Sequence, residues 1–250
     1  MKSSPSPSQW AFGTAVGRFR PLLSRAAAPA ALLLWQSLAC AQANLAGCGS
    51  LENHYGPFDY RTERHGKLKI VEQYHFTPNV ESLIAGNSGS LGGELSYTLA
   101  TSPNHHRALM AMVRLGEKLK SPQPTGAKYS VECFFERALR FRSDDSTVKL
   151  IYATFLIKNG READAIKQLE VAAAAAGDNA FTQYNVGMIY FDIKRYDRAL
   201  AQAHRAYGLG FEMPELRNQL QSVGKWTDPV AQAQDATDPA KDNGAQQPTR

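Results

Sequence analysis

Asn185-Val186-Gly187-Met188-Ile189-Tyr190, followed by Tyr196, Ala199 and Ala206, decides the fold, because its arrangement of small and large apolar residues also stands 34 positions upstream. Tyr152-Ala153 answers to Val186-Gly187, Leu156 to Tyr190, Ala165 to Ala199, Leu169 to Ala203 and Ala172 to Ala206, every pair 34 residues apart. One period earlier, Val131, Phe135 and Ala138 precede Ala165, Leu169 and Ala172 by the same interval. Such a period marks a repeated supersecondary unit. Small residues at Ala153 and Gly187, facing Ala165 and Ala199, let two helices cross closely. Large apolar residues at helical spacing then fill the seam to the next pair. One hairpin cannot cover its own apolar face, so hairpins stack. Asn159-Gly160 predicts a left-handed C-cap at the end of one first helix. The fold class is all-α, a helical-hairpin solenoid.

These positions resemble the tetratricopeptide repeat family, from about Pro103 to Leu209. The stretch Asn185–Tyr190 with Tyr196, Ala199 and Ala206 carries most of that family's signature. The departures are Gln183 where an aromatic is usual, Ala203 where Phe is typical and Phe211 at the proline position. The preceding repeat keeps Gly160, Ala165 and Ala172. The earliest has Leu115-Gly116, then Phe135 and Ala138, with a turn about three residues longer that accommodates Ser121-Pro122-Gln123-Pro124-Thr125-Gly126. A half-repeat runs from Leu91 to Pro103. The resemblance implies about three hairpins over 91–226, closed by a capping helix from Pro214 to Val223 with Leu216, Leu220 and Val223 on one face. It also implies a concave surface lined by the first helix of each hairpin. In the last repeat this surface takes Phe181, Tyr184, Met188, Phe191 and Asp192, and in the middle repeat Thr147, Leu150, Thr154, Ile157 and Lys158. The Lys and Asn with which some relatives clamp a peptide carboxylate are replaced by Leu150, Thr154, Tyr184 and Met188. The strip therefore suits an apolar partner segment, unless the capping helix or the N-terminal segment fills it.

The termini carry different signals. Residues 1–43 hold Lys2, Arg18, Arg20 and Arg25, no acid, a 16-residue apolar run from Ala26 to Ala41, and then Ala41-Gln42-Ala43. That order reads as a secretory signal peptide, its run shorter than the roughly 20 residues of a membrane span, the alternative being an uncleaved N-terminal anchor. Leu45-Ala46-Gly47-Cys48 is a competing lipobox that would make Cys48 a lipid anchor. Cleavage after Ala43 leaves Cys48 and Cys133, which in an oxidising compartment form a disulfide. It also removes four of 28 basic residues, leaving 24 against 23 acids, so the mature chain is near neutral and nucleic acid drops out as a partner. Residues 227–250 lack an apolar period and read as a disordered tail. Residues 44–90 form an irregular N-terminal cap, with a turn at Tyr55-Gly56-Pro57-Phe58, a short extended segment at Leu68, Ile70 and Val71, and a helix capped by Thr77-Pro78 that runs to about Ala85. Cys48-Gly49, Gly56–Tyr60 and Pro103–Ala108 together are similar to a group of exported bacterial repeat proteins.

Chemistry-bearing motifs are sparse. Gly86–Gly93 lacks the Gly-Lys-Ser/Thr of a phosphate loop and reads as a mobile connector. Asn104 is expected to cap a helix whose first turn holds solvated His105 and His106, since adjacent helical residues diverge by about 100° and cannot easily share a metal. Arg137, Arg140, Arg142, Lys149 and Lys158 alternate with acids and read as a solvated mixed-charge face. The sequence contains no nucleophile elbow, metalloprotease pair or nucleotide fingerprint, and no metal or cofactor is expected. The expectation is a periplasmic or secreted interaction module rather than an enzyme, binding another protein or peptide. The alternatives are an envelope lipoprotein held at Cys48, or a metal- or carbohydrate-associated factor acting through His54, Tyr55, Asp59 and His75.

Overall fold

The computed structural model describes residues 47–229, so the expected signal peptide at 1–43 and most of the expected tail lie outside the described residues. Among the described residues the chain is all-helical: α1 (Tyr60–Glu63), α2 (Leu68–His75), α3 (Pro78–Glu81), α4 (Leu91–Thr101), α5 (His106–Leu119), α6 (Val131–Phe141), α7 (Ser146–Lys158), α8 (Glu162–Ala176), α9 (Ala180–Asp192), α10 (Tyr196–Gly208) and α11 (Glu215–Ser222). No strand occurs among them, and no helix is long and apolar enough to cross a membrane.

The period of 34 survives into three dimensions. α7 and α9 both have 13 residues, and their N-caps, Asp145 and Asn179, each accept from the third amide onward. Such caps contribute about 1 kcal/mol each by satisfying an otherwise bare N–H. Both helices end in three-residue turns, at 159–161 and 193–195. Gly160 and Lys194 take left-handed backbones with φ of 73° and 60°. Arg161 N–H then bonds Leu156 O, and Arg195 N–H bonds Tyr190 O, at 2.9 Å in both turns. α7 packs on α8, and α9 on α10, more extensively than any other neighbours. Ala153, Ala165, Ala172, Ala199 and Ala206 are fully buried, and Tyr190 nearly so. A Cβ on Gly187 would come within 2.6 Å of Leu216 Cδ2 and 3.2 Å of Gln202 Cβ, which explains the small residue there.

The first hairpin, α5 with α6, is a stretched version of these two. Gly116 faces Val131, 15 positions on, where Gly187 faces Ala199, 12 positions on. The facing positions are thus three residues further apart, as the sequence implied, but the helices themselves stop earlier and start later, so the turn spans 120–130, eleven residues where the other two hairpins use three. Phe135 stacks on Tyr152 with ring centroids 4.8 Å apart, carrying the core from α6 into α7. α11 closes the far end by burying Leu216 and Leu220 against α9 and α10. Val223 follows the helix as its C-cap and is exposed, so it does not share that face.

The N-terminal cap is more regular than its sequence suggests. Leu68–Val71 is helix, not strand: Leu68 and Val71 are buried while Ile70 is 55% exposed, the i, i+3 pattern of a helix. Thr77 caps α3 through Val80 N–H as expected, but the helix stops at Glu81, where Leu83 at φ 57° turns the chain. Phe76, Val80 and Leu83 join the main core, while Tyr60, Leu68 and Val71 form a smaller one with Tyr55 and Phe58.

A disulfide joins Cys48 to Cys133 of α6, 85 positions apart, with Cα atoms 5.3 Å apart. Arg137, one turn along α6, reinforces it. Its buried guanidinium donates to Cys48 O at 2.8 Å and Ser50 O at 2.6 Å, while Arg140 donates to Gly49 O at 2.7 Å. The Tyr129 ring lies under Arg137, its centroid 4.7 Å away. Gly49 sits at φ 68° against that ring, where a Cβ would lie 2.4 Å from the hydroxyl. The expected solvated face therefore holds only in part: Arg140, Arg142 and Lys158 are exposed. Arg137 and Lys149 are buried, and backbone carbonyls receive their charges, Lys149 donating to Ser143 O.

Candidate functional site: an apolar cleft and two buried polar clusters

α7 and α9 carry apolar residues on nearly all sides, the signature of a helix with neighbours on two faces. One face of each meets its hairpin partner, through Tyr152, Ala153 and Leu156 in α7 and through Val186, Gly187 and Tyr190 in α9. The other faces a cleft of about 420 Å³ between α5, α7 and α9. Met110, Val113, Leu150, Ile151, Phe155, Phe181, Met188 and Ile189 supply its apolar lining. Phe181, at one edge, is 61% exposed. The charged residues on the wall are Arg114 and Lys158, and no carboxylate lines it.

The expected groove residues divide. Leu150, Thr154, Phe181 and Met188 line the cleft, with Thr147 and Lys158. Ile157, Tyr184, Phe191 and Asp192 do not. Tyr184 is buried under the chain end: Phe211 lies 4.5 Å from its ring and its hydroxyl reaches Glu215 at 3.4 Å. Here the capping segment fills part of the strip, which corrects Tyr184 from binding residue to core. Phe191 packs on Tyr196 at 5.4 Å, Ile157 packs against the core, and Asp192 is exposed. Met110, Val113 and Arg114 of α5 were missed, because the longer first turn puts that helix out of the 34-residue register.

The first polar cluster locks the cap to α5 and α7. Asn104 is fully buried. Its Nδ2 donates to Asp59 at 2.8 Å and Asp145 at 2.9 Å, and its Oδ1 accepts from Tyr60 N–H at 3.1 Å. Arg61 and Arg142 pair with Asp59, and His106 Nε2 lies 2.8 Å from Asp145. The Arg61 hydrogen bond holds the Asp59 carboxyl far below the usual carboxylate range despite its burial. The N-cap of α5 is thus His105, not Asn104, and neither histidine is freely solvated. His105 Nδ1 accepts from Ala108 N–H at 3.1 Å, which puts its proton on Nε2, 3.1 Å from Glu72. Desolvation between Tyr60 and Phe76 pushes the His105 pKa down.

The second cluster overturns the reading of Gly86–Gly93 as a loose connector. Its amides wrap a carboxylate of the chain itself: Glu94 Oε1 accepts from Asn87 N–H, Ser88 N–H, Ser88 Oγ and Gly89 N–H at 2.6–3.1 Å. The ring of amides is therefore filled by the chain's own Glu94, which is 3% exposed. Burial raises the Glu94 pKa, but these bonds outweigh it and hold the carboxyl below its ordinary value. Its other oxygen lies 2.7 Å from His75 Nδ1. Among the described residues, no group of three or more His, Cys, Asp and Glu could hold a metal ion. His54, His65 and His75 remain apart.

Comparison with known proteins gives no match. No protein family, curated protein or solved structure matches this chain at a significant level. The cleft and its geometry therefore carry the functional argument by themselves.

Proposed function

We propose that the protein is an exported interaction module of the tetratricopeptide type, which holds a segment of a partner protein in the cleft between α5, α7 and α9. The observation that carries this reading is the apolar lining of that cleft, with Phe181 and Met110 open to solvent and the half-buried Leu150, Ile151, Phe155, Met188 and Ile189 between them and the core. Exposed apolar surface gathered in a concavity is a common mark of a binding site. The 34-residue offset between α7–α8 and α9–α10 supports the family reading, and the Cys48–Cys133 bond supports an oxidising compartment such as the periplasm. That bond also engages the Sγ that a thioether lipid needs, which favours the disulfide over anchoring at Cys48.

Site-specific photo-crosslinking tests this function. A photoreactive residue at Phe181 or Met110 should capture a discrete partner in the native host, and one at Val171, exposed on α8, should not. Equal capture from all three positions would refute a cleft-directed function.

A further inference from the structure

A second pocket, of about 340 Å³, opens beside the cap and is lined by Tyr55, Ile70, Val71, Tyr74, His75 and Tyr97. It lies at the small end of the roughly 300–1,000 Å³ typical of small-ligand sites. Ile70, Tyr74 and Tyr97 are 55%, 50% and 42% exposed, an unusual gathering for so small a surface. Tyrosine combines an apolar ring face with a polar tip. Apart from the imidazole, the lining has no Asp, Glu, Lys or Arg, so it offers no fixed charge to select an anion or a cation.

His75 is held in one direction. Glu94, ionised and saturated by the Gly86–Ser90 loop, fixes the proton on His75 Nδ1, which donates to Glu94 Oε2. The Tyr97 ring lies 4.0 Å from the imidazole and fixes its plane. Asn87 Nδ2 ties the loop to α2 through Tyr74 O at 3.0 Å, so loop, helix and imidazole form one unit. The other ring nitrogen, Nε2, has no hydrogen-bond partner among the described residues. A buried carboxylate that accepts five hydrogen bonds is an elaborate support for a histidine whose other nitrogen would otherwise do nothing.

We propose that this pocket binds a neutral saccharide, its C–H faces laid against the tyrosine rings and a hydroxyl hydrogen-bonded to His75 Nε2. A sugar ring presents apolar faces and hydroxyl donors without net charge, which matches this lining. An apolar peptide would leave the oriented ring nitrogen unmet, at a desolvation cost. Glu94 acts as a positioning residue through the histidine tautomer. The site is distinct from the cleft and does not depend on its role.

The test uses nuclear magnetic resonance of the exported protein, titrated with cellotetraose, maltotetraose and chitotetraose. At least one should shift the His75 and Tyr97 ring resonances saturably. Tyr74→Ser, a surface change that spares the core, should weaken that binding about tenfold, equivalent to roughly 1.4 kcal/mol. Glu94→Gln can turn its amide toward His75 Nδ1 and so move the proton to Nε2. The histidine ¹⁵N shifts should report that exchange, and saccharide affinity should fall with it, while Phe181→Ala leaves affinity unchanged. If no saccharide produces a saturable shift, or if an apolar peptide alone does, the proposal is overturned. Binding that survives both Tyr74→Ser and Glu94→Gln also overturns it.

Discussion

Replacing both Cys48 and Cys133 by Ser should lower stability substantially while leaving the helices in place. The bond closes a loop of 85 positions. In the chain-entropy account, opening a loop of that length releases about 15 cal/mol/K to the unfolded chain, or about 4.6 kcal/mol at 25 °C. In a chain of this size each kcal/mol corresponds to roughly 2–4 °C, so the midpoint should fall by roughly 9–18 °C. In the native state Arg137 and Arg140 still hold the carbonyls of residues 48–50, so far-UV circular dichroism at low temperature should not change. Thermal melts of the parent with and without reductant, beside the double variant, provide the assay. A midpoint shift below about 3 °C would refute the reasoning. Loss of helical signal at low temperature would instead mean that the bond, rather than the arginine contacts, keeps the segment docked.

Three further expectations follow from the buried residues. The His105 pKa is depressed in the fold, so below about pH 6.5 the unfolded chain takes up a proton that the native state refuses. Stability is therefore full above that pH and declines as pH falls; denaturant midpoints at about pH 7.5 and 5.5 should show it, and His105→Gln should flatten the difference. Asn104→Ala strips donors from two buried carboxylates and should cost about 3 kcal/mol, with Asn104→Asp worse because it adds a third buried carboxylate beside Asp59 and Asp145. Ala199→Leu should cost roughly 1–3 kcal/mol in urea unfolding by overpacking the last hairpin.

The repeat region was legible because its signal is periodic. Ala153, Ala165, Gly187 and Ala199 are small for a reason that acts at one spacing, and the turns at Gly160 and Lys194 obey the same spacing. The cleft was half legible: Leu150, Thr154, Phe181 and Met188 fall on it, while Tyr184 is lost to Phe211, a contact fixed by the chain end and not by the repeat. The polar clusters were opaque. Asn104 meets Asp59 and Asp145 across more than 40 positions, and Glu94 meets a loop whose glycines suggested mobility. Arg137 read as surface charge because nothing local reveals that carbonyls 87 to 89 positions earlier receive it.

The bond between Cys48 and Cys133 also divides the chain under load. Force applied to the two ends of the described chain runs from residue 48 directly to residue 133, so α1 to α5 are bypassed and carry no tension. Only the segment from α6 onward can be drawn out. The cleft straddles that division, since α5 is shielded while α7 and α9 bear the pull. A partner seated there would bridge the sheltered and the extensible parts, and its grip would be felt as resistance to stretching of the hairpins alone.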